Sequence, residues 1–250
     1  MTTTLLIHLY YPDSVGEIMG YLGELDKKEN RFIFNVPIRD FHVHQKISEM
    51  ILASFPEAII LNTSNRGKDI GGKLAMLNFY LNQEEKTDYL VFLHDKKSEL
   101  TYTINFKKID SEIWKKELFS IIHPENMNRI RKLFADPATG MVTHESHIYT
   151  SSQHSDYVIF GNNMLNLSEL CDKFHLKNIS EKKTDFAGGT MFWVRSKIYE
   201  DFFNTHPPLE IRAMLEKGNF TDRYSGTYSH AMERIFSWIV TAQGYQIKGI

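Results

Sequence analysis

A chain of 250 residues with 42% hydrophobic and 24% charged content is long enough for one large globular domain with its own core. A net charge of -2 leaves no electrostatic footprint for nucleic acid, so no nucleic-acid partner is expected. The single cysteine, Cys171, excludes an internal disulfide and a four-cysteine zinc site, and no apolar run reaches the roughly 18 residues of a membrane span.

Met1-Thr2-Thr3-Thr4 carries no basic region ahead of Leu5-Leu6-Ile7, and His8 interrupts the apolar run. The segment therefore reads as a first strand, Thr4 to Tyr11, and not as a leader; the expected location is cytoplasmic. Pro12 stops that strand, and Asp13-Ser14 is expected to cap a helix to about Leu25. Strands are predicted at Arg31–Val36, Ala58–Leu61 and Tyr89–Leu93, with helices at His42–Ser54 and Asp69–Leu81 between them. This alternation predicts an α/β fold with a mainly parallel sheet flanked by helices on both faces. Ala58–Leu61 and Leu90–Leu93 are near-continuous apolar runs, as expected of strands covered on both sides.

The second half is less regular. Helices are predicted at Ile113–Ile122, Glu125–Phe134, Met164–Phe174, Leu209–Lys217 and Ser229–Ala242, and strands at Gly140–Val142, Phe186–Val194 and from Tyr245. His144 to Tyr157 reads as a polar loop. The organisation expected is one domain over residues 1–250. The tidy first half, residues 1–100, is expected to be nucleotide-binding, and the looser second half, 101–250, the acceptor side.

Four segments stand out chemically. Asn65-Arg66-Gly67-Lys68-Asp69 lies between a strand and a helix, where a glycine permits a tight turn and the helix directs its positive end at a ligand. Asp69 is a good N-cap in that position, and the plain alternative is a capped Asn-Gly loop. His94-Asp95-Lys96-Lys97-Ser98 follows a buried strand, and ligands of open α/β sheets bind beyond the carboxyl ends of strands. Two adjacent lysines there suit a diphosphate, since cations stabilise charge developing on a departing group. Gly188-Gly189-Thr190 next to an aromatic strand with Trp193 suggests close approach by a ligand or another backbone, with a plain core strand as the alternative. His230 and Glu233 share one helical face and could form a base with its partner, two metal ligands, or a surface patch with Arg234. His144, His147 and His154, with Glu145, admit a zinc reading, though their spacing is irregular; His42 and His44 carry less.

Together these segments resemble the rhamnan synthesis F family of polysaccharide glycosyltransferases. The matching pieces run in order from His8-Leu9-Tyr10-Tyr11 through Asn65–Gly71, Leu93–Ser98, Trp114-Lys115, Asp136-Pro137 and Ala187–Arg195 to Ser229–Arg234. The resemblance implies transfer of a sugar, typically rhamnose from a dTDP donor, onto a cell-surface polysaccharide or lipopolysaccharide. The order is also similar to the wider GT-A fold. There a strand ends in Asp-x-Asp, the pair that holds a divalent metal. Here His94-Asp95-Lys96 replaces both outer acids, which puts magnesium or manganese dependence in doubt and favours metal-independent chemistry.

The resemblance and the residues together give a set of expected roles. Glu233 is the catalytic base of an inverting displacement, with His230 beside it and Asp185 as second choice. Asn65, Arg66, Gly67, Asp69, His94, Asp95, Lys96 and Lys97 bind the donor. Gly188, Gly189, Thr190 and Trp193 bind the acceptor. No metal ligand and no bound cofactor is assigned; the nucleotide diphosphate sugar is the substrate. The partner is a polysaccharide or lipid-linked glycan, which leaves peripheral contact with the inner membrane face open. Two other classes compete: a non-catalytic nucleotide- or carbohydrate-binding module on the same fold, and a metal-dependent hydrolase built on the histidine loop.

Overall fold

The structure is a computed structural model that describes residues 1–96, 102–104, 107–220 and 225–250. The first half alternates strictly: β1 (Thr3–His8), α1 (Pro12–Gly23), β2 (Asn30–Pro37), α2 (Phe41–Ser54), β3 (Ile59–Thr63), α3 (Lys68–Leu81) and β4 (Tyr89–His94). A small hairpin of β5 (Tyr102–Ile104) and β6 (Lys107–Ile109) follows, then α4 (Ser111–Phe119), α5 (Pro124–Ala135) and β7 (Thr139–Thr143). The rest comprises β8 (Ile148–Tyr149), α6 (Asp156–Phe160), α7 (Met164–Phe174), β9 (Phe186–Ala187), β10 (Phe192–Arg195), α8 (Ser196–Thr205), α9 (Pro208–Met214), α10 (Tyr228–Ala242) and β11 (Gln246–Gly249).

The main sheet has seven strands in the order β11-β7-β10-β4-β1-β2-β3. β4, β1, β2 and β3 are mutually parallel, as the helical crossovers require, and β11 is parallel to β7. β10 runs antiparallel to both β4 and β7. The architecture is thus the mainly parallel, helix-flanked α/β sheet that the sequence predicts.

Strand alternation divides the core in two. Leu6, Leu90, Phe92, Phe192 and Val194 face α3, α7, α8 and α10, where Trp238 and Phe236 are fully buried. Leu5, Ile7, Val91, Leu93 and Trp193 face α1, α2 and α5. Each such buried side chain contributes on the order of 1.5–3 kcal/mol.

Two features of this sheet place the site. β1 and β4 are in register, so His8 and His94 lie side by side at their carboxyl ends. Because β10 is antiparallel, its entry and not its exit falls at that same edge, opposite the end of β4. The turn before β10 is therefore brought to the ligand-binding edge.

Several expected elements differ from the structure. Ala58–Leu61, expected to be covered on both sides, lies in the half-exposed edge strand β3, and α8 has no counterpart among the predicted helices. Asp13-Ser14 does not cap α1. The helix starts at Pro12, whose ring fixes φ, with Tyr11 at the cap position and no side-chain cap bond. Asp69 is not the N-cap of α3 either; Gly67 is, at φ 71°, and Asp69 sits in the first turn with its carboxylate turned elsewhere. The continuous strand Phe186–Val194 is broken into β9, a 3-10 turn at Gly188–Thr190, and β10, because Gly189 and Thr190 adopt φ of 77° and 52°. The polar loop His144–Tyr157 contains a 3-10 turn at Glu145–His147, and β8 pairs with β9.

Candidate active site

A cavity of about 360 Å³ opens beyond the carboxyl ends of β1 and β4. Of the residues expected to act, Asn65, Asp69, His94, Asp95, Lys96, Gly189, Thr190, His230 and Glu233 line it. They come from the β3–α3 loop, the end of β4, the turn before β10 and the first turns of α10.

The floor holds a residue that the sequence reading passed over. Lys73, on α3, is wholly buried, and its ammonium donates to Asp69 Oδ2 at 2.9 Å, His94 Nδ1 at 3.0 Å and Thr190 Oγ1 at 2.5 Å. All three of its protons are thereby used. The Thr190 hydroxyl donates in turn to Asp69 Oδ2 at 3.1 Å. Burial lowers the Lys73 pKa, and Asp69 opposes the shift. Burial alone would raise the Asp69 carboxyl, but Lys73 and His94 hold it well below the usual carboxylate range. A buried cation is tolerated here because it is paired and fully hydrogen-bonded. Asp69 and Lys73 at i and i+4 in an apolar helix were the signal available in the sequence.

The two histidines at the strand ends are fixed as one tautomer. Thr63 donates to Asn35 Oδ1 at 2.9 Å, which turns the Asn35 amide nitrogen toward His8 Nδ1, also at 2.9 Å. His8 Nδ1 therefore accepts, as His94 Nδ1 accepts from Lys73. Each ring then carries its proton on Nε2. Burial lowers the His8 pKa to about 4, and burial with the Lys73 charge pushes that of His94 well below its usual value. Two neutral imidazoles, each with an N–H donor, thus stand together on the cavity wall.

Asp95 is held by the chain around β1. Its Oδ2 accepts from the backbone N–H of Tyr10 at 2.7 Å and Tyr11 at 2.5 Å, and from Ser14 Oγ at 3.1 Å. Burial raises its pKa to about 6, with those amides opposing. Lys96 stacks its ammonium 3.1 Å from the ring centre of Trp114, a cation–π contact. Burial brings its pKa down to about 8, with Glu233 and Asp69 opposing.

Glu233 projects from the second turn of α10. Its Oε1 accepts from Gly189 N–H at 2.8 Å, and its Oε2 pairs with Arg234 at 2.8 Å. His230 lies one turn earlier, its Nδ1 2.5 Å from Oγ1 of Thr227, the residue that also caps α10 by accepting from His230 N–H.

The other expected residues that the structure describes lie off the cavity. Arg66 donates to the carbonyls of Ala213 and Leu215, both at 2.8 Å, and Gly67 N–H donates to Glu216 O at 2.9 Å. They tie the β3–α3 loop to the chain after α9. Gly188 is buried against the Tyr149 ring. Trp193 is a core residue whose Nε1 donates to Ile121 O at 2.8 Å. Asp185 accepts from Ser151 N–H at 3.2 Å. Lys97 lies outside the described residues. Among the histidines of the polar loop, His154 Nδ1 lies 3.2 Å from both Thr150 N and Thr150 O. His144 and His147 instead face Glu117 of α4.

No helix among the described residues is long and apolar enough to cross a membrane. No curated protein matches the chain. Among solved structures it is similar to the mannosyltransferase PcManGT from Pyrobaculum calidifontis, solved with GDP-Man and Mn2+, at 11% identity and a TM-score of 0.46. The match covers 99% of this chain and 54% of that one. It is also similar to the mannosyltransferase Ktr4p from S. cerevisiae, at 11% identity and a TM-score of 0.36, over 96% of this chain and 62% of that one. The chain thus spans between half and two thirds of those proteins' lengths. The family model for Rhamnan synthesis protein F matches residues 1–245, nearly the whole sequence, and the chain belongs to that family.

Proposed function

We propose that this protein is a glycosyltransferase that moves a sugar, rhamnose or a related hexose, from a nucleotide diphosphate donor to a cell-surface polysaccharide or lipid-linked glycan. The observation that carries this reading is the composition of one cavity: the Glu233 carboxylate stands among the Lys96 ammonium and the His8 and His94 imidazoles. Those donors suit a diphosphate. Lys96 offers a positive charge where the leaving group gathers negative charge, and the two Nε2–H groups offer hydrogen bonds that need no reorganisation. Lys73 does not reach the ligand; it orients His94 and anchors Asp69 and Thr190.

Glu233 is the base in this scheme. An acceptor hydroxyl attacking the anomeric carbon must lose a proton as the bond to the diphosphate breaks, and a carboxylate within hydrogen-bond reach takes it. Gly189 and Arg234 hold the carboxylate in place while each oxygen keeps a lone pair for that proton. A single displacement with inversion is the simplest course. The donor sits over the first half of the chain and the acceptor over the second, with the turn Gly189-Thr190 at their meeting point.

A divalent metal of the Asp-x-Asp type does not fit the residues at the end of β4. Asp95, the one carboxylate of that segment, has Oδ2 engaged by two backbone amides and a hydroxyl, and its neighbours are an imidazole and an ammonium. Chemistry without a metal in this cavity is accordingly proposed. The test is thermal unfolding with a panel of nucleotide diphosphates and nucleotide sugars, each with EDTA and with manganese. Stabilisation by one nucleotide, with the same increment in EDTA, supports the reading and identifies the base. Stabilisation that requires manganese overturns the metal-free donor site, and no stabilisation by any nucleotide overturns the donor site altogether.

A further inference from the structure

Glu117 near the end of α4, and His144 and His147 around the short turn after β7, each bring one ligand atom to within 4.8 Å of the others. His147 is only 2% exposed, yet neither of its ring nitrogens has a hydrogen-bond partner among the described residues. Its Nε2 lies 3.1 Å from Glu117 Oε2, but off the line of a hydrogen bond. A buried imidazole with both nitrogens unsatisfied costs free energy that a bound group would recover. Glu117 keeps 29% of its side chain exposed, which leaves the cluster a path to solvent.

We propose that Glu117, His144 and His147 form a zinc site distinct from the sugar-transfer cavity. Two imidazoles and one carboxylate are a recurring zinc donor set, with a fourth position left for water. Borderline nitrogen ligands favour zinc over magnesium or calcium, which take oxygen ligands. Loading has a local cost: His144 Nδ1 accepts a long 3.3 Å bond from Ser146 N–H, which the ring gives up when it ligates.

The position gives the ion a purpose. It would clamp α4 to the chain leaving β7, and α4 carries Trp114. The Trp114 ring stands 6.2 Å from that of His147 on one side and receives Lys96 on its face. Zinc would thus fix the wall on which Lys96 rests, without entering the cavity. The local zinc reading of the sequence contained His144 and His147. Its other two members are engaged elsewhere: Glu145 faces Arg129 at 4.0 Å and His154 bonds within its own turn. The third ligand comes from another element.

The test is metal uptake, which does not depend on activity. Protein stripped with chelator and dialysed is titrated with zinc against a chromophoric chelator, and thermal unfolding is followed in parallel. The wild type is expected to take up one zinc per chain and to gain thermal stability. His144→Ala, at a half-buried position, and Glu117→Gln, which keeps side-chain shape, each weaken zinc binding at least tenfold and lose that gain. His154→Ala binds as the wild type does. No uptake by the wild type, or equal uptake by Glu117→Gln and His144→Ala, overturns the site. Nucleotide binding in the stripped protein is measured beside it, so loss of the zinc site and loss of the donor site give different results.

Discussion

At the scale of single residues, the cavity is built from charges whose partners fix their roles. Glu233→Gln keeps the side-chain shape and an oxygen for Gly189 N–H, but it turns its amide nitrogen toward the Arg234 guanidinium and gives up that ion pair. The amide cannot accept the hydroxyl proton. Glu233→Gln is expected to keep nucleotide-sugar binding and to lower the transfer rate by about 10²–10⁴-fold. Measured donor affinity and single-turnover rates check this, and near-wild-type transfer removes Glu233 from the chemistry. Lys96 offers a test by pH. Its ammonium is present below about 8 and lost as pH rises through that value. Donor affinity should therefore fall above about pH 8. Lys96→Arg, whose charge persists, should abolish the fall, and Lys96→Met should weaken binding below about pH 8, where the wild type carries the charge, and flatten the profile. An unchanged pH profile in the arginine variant excludes Lys96 as the titrating group. Asp95 shows how a residue can be found and its part still missed. A charge at a strand end is visible in the sequence, but its partners Tyr10 and Tyr11 lie 85 and 84 positions away. Only the in-register pairing of β1 and β4 brings them together.

At the scale of elements, the turn before β10 does most to assemble the site. Gly188-Gly189-Thr190 reads from sequence as part of a strand because the aromatic run after it has strand character. In the structure the left-handed φ at Gly189 turns its N–H onto Glu233 and leaves Thr190 over Lys73. A Cβ at Gly189 would lie 2.9 Å from Leu118 Cδ2, and the positive φ adds strain of order 1 kcal/mol or more. Gly189→Ala is expected to cost about 1–3 kcal/mol in urea unfolding. It should also lower the transfer rate, since the turn must shift and carries with it the backbone N–H that anchors Glu233. A variant with unchanged stability would show that the turn relaxes freely, and the strained position would carry no role. Gly67 is the parallel case on the other wall. It caps α3 at φ 71° against Leu215, and so it joins the β3–α3 loop to the chain after α9. The glycine turn at Asn65–Gly67 and the alternation of strands and helices in the first half were legible because they follow local rules. The broken strand and the Lys73 network were not, since each is stabilised by residues distant in sequence.

At the scale of the molecule, the alternation of apolar strands and amphipathic helices was enough to predict the sheet, and β10 was the element it could not orient. A strand returning antiparallel has the same apolar pattern as a parallel one; pairing with β4 and β7 decides it. The consequence that spans the fold is the number of buried neutral histidines packed around this sheet. Burial lowers His8 to about 4, His147 to about 3, and His94 well below its usual value. In the unfolded chain each titrates near about 6.5. Between the two values the unfolded state binds more protons. The stability these rings contribute is therefore complete above about pH 6.5 and is lost as pH falls toward their folded values. His8 alone accounts for about 3 kcal/mol at about 1.36 kcal/mol per unit. Asp95 acts in the opposite sense. Raised to about 6, it takes a proton in the folded state first and stabilises the fold as pH falls toward the unfolded value of about 3.9. Burial lowers His206 as well, so the histidines together outweigh Asp95 and the net result is a loss of stability on acidification. Urea midpoints measured in chelator at steps from about pH 7.5 to about 4.5 should decline steadily below about 6.5. His8→Gln should flatten that decline, and Asp95→Asn should steepen it. A wild-type midpoint that holds constant down to about pH 5, or a slope that His8→Gln leaves untouched, would show that His8 is not the neutral, buried donor placed on the cavity wall.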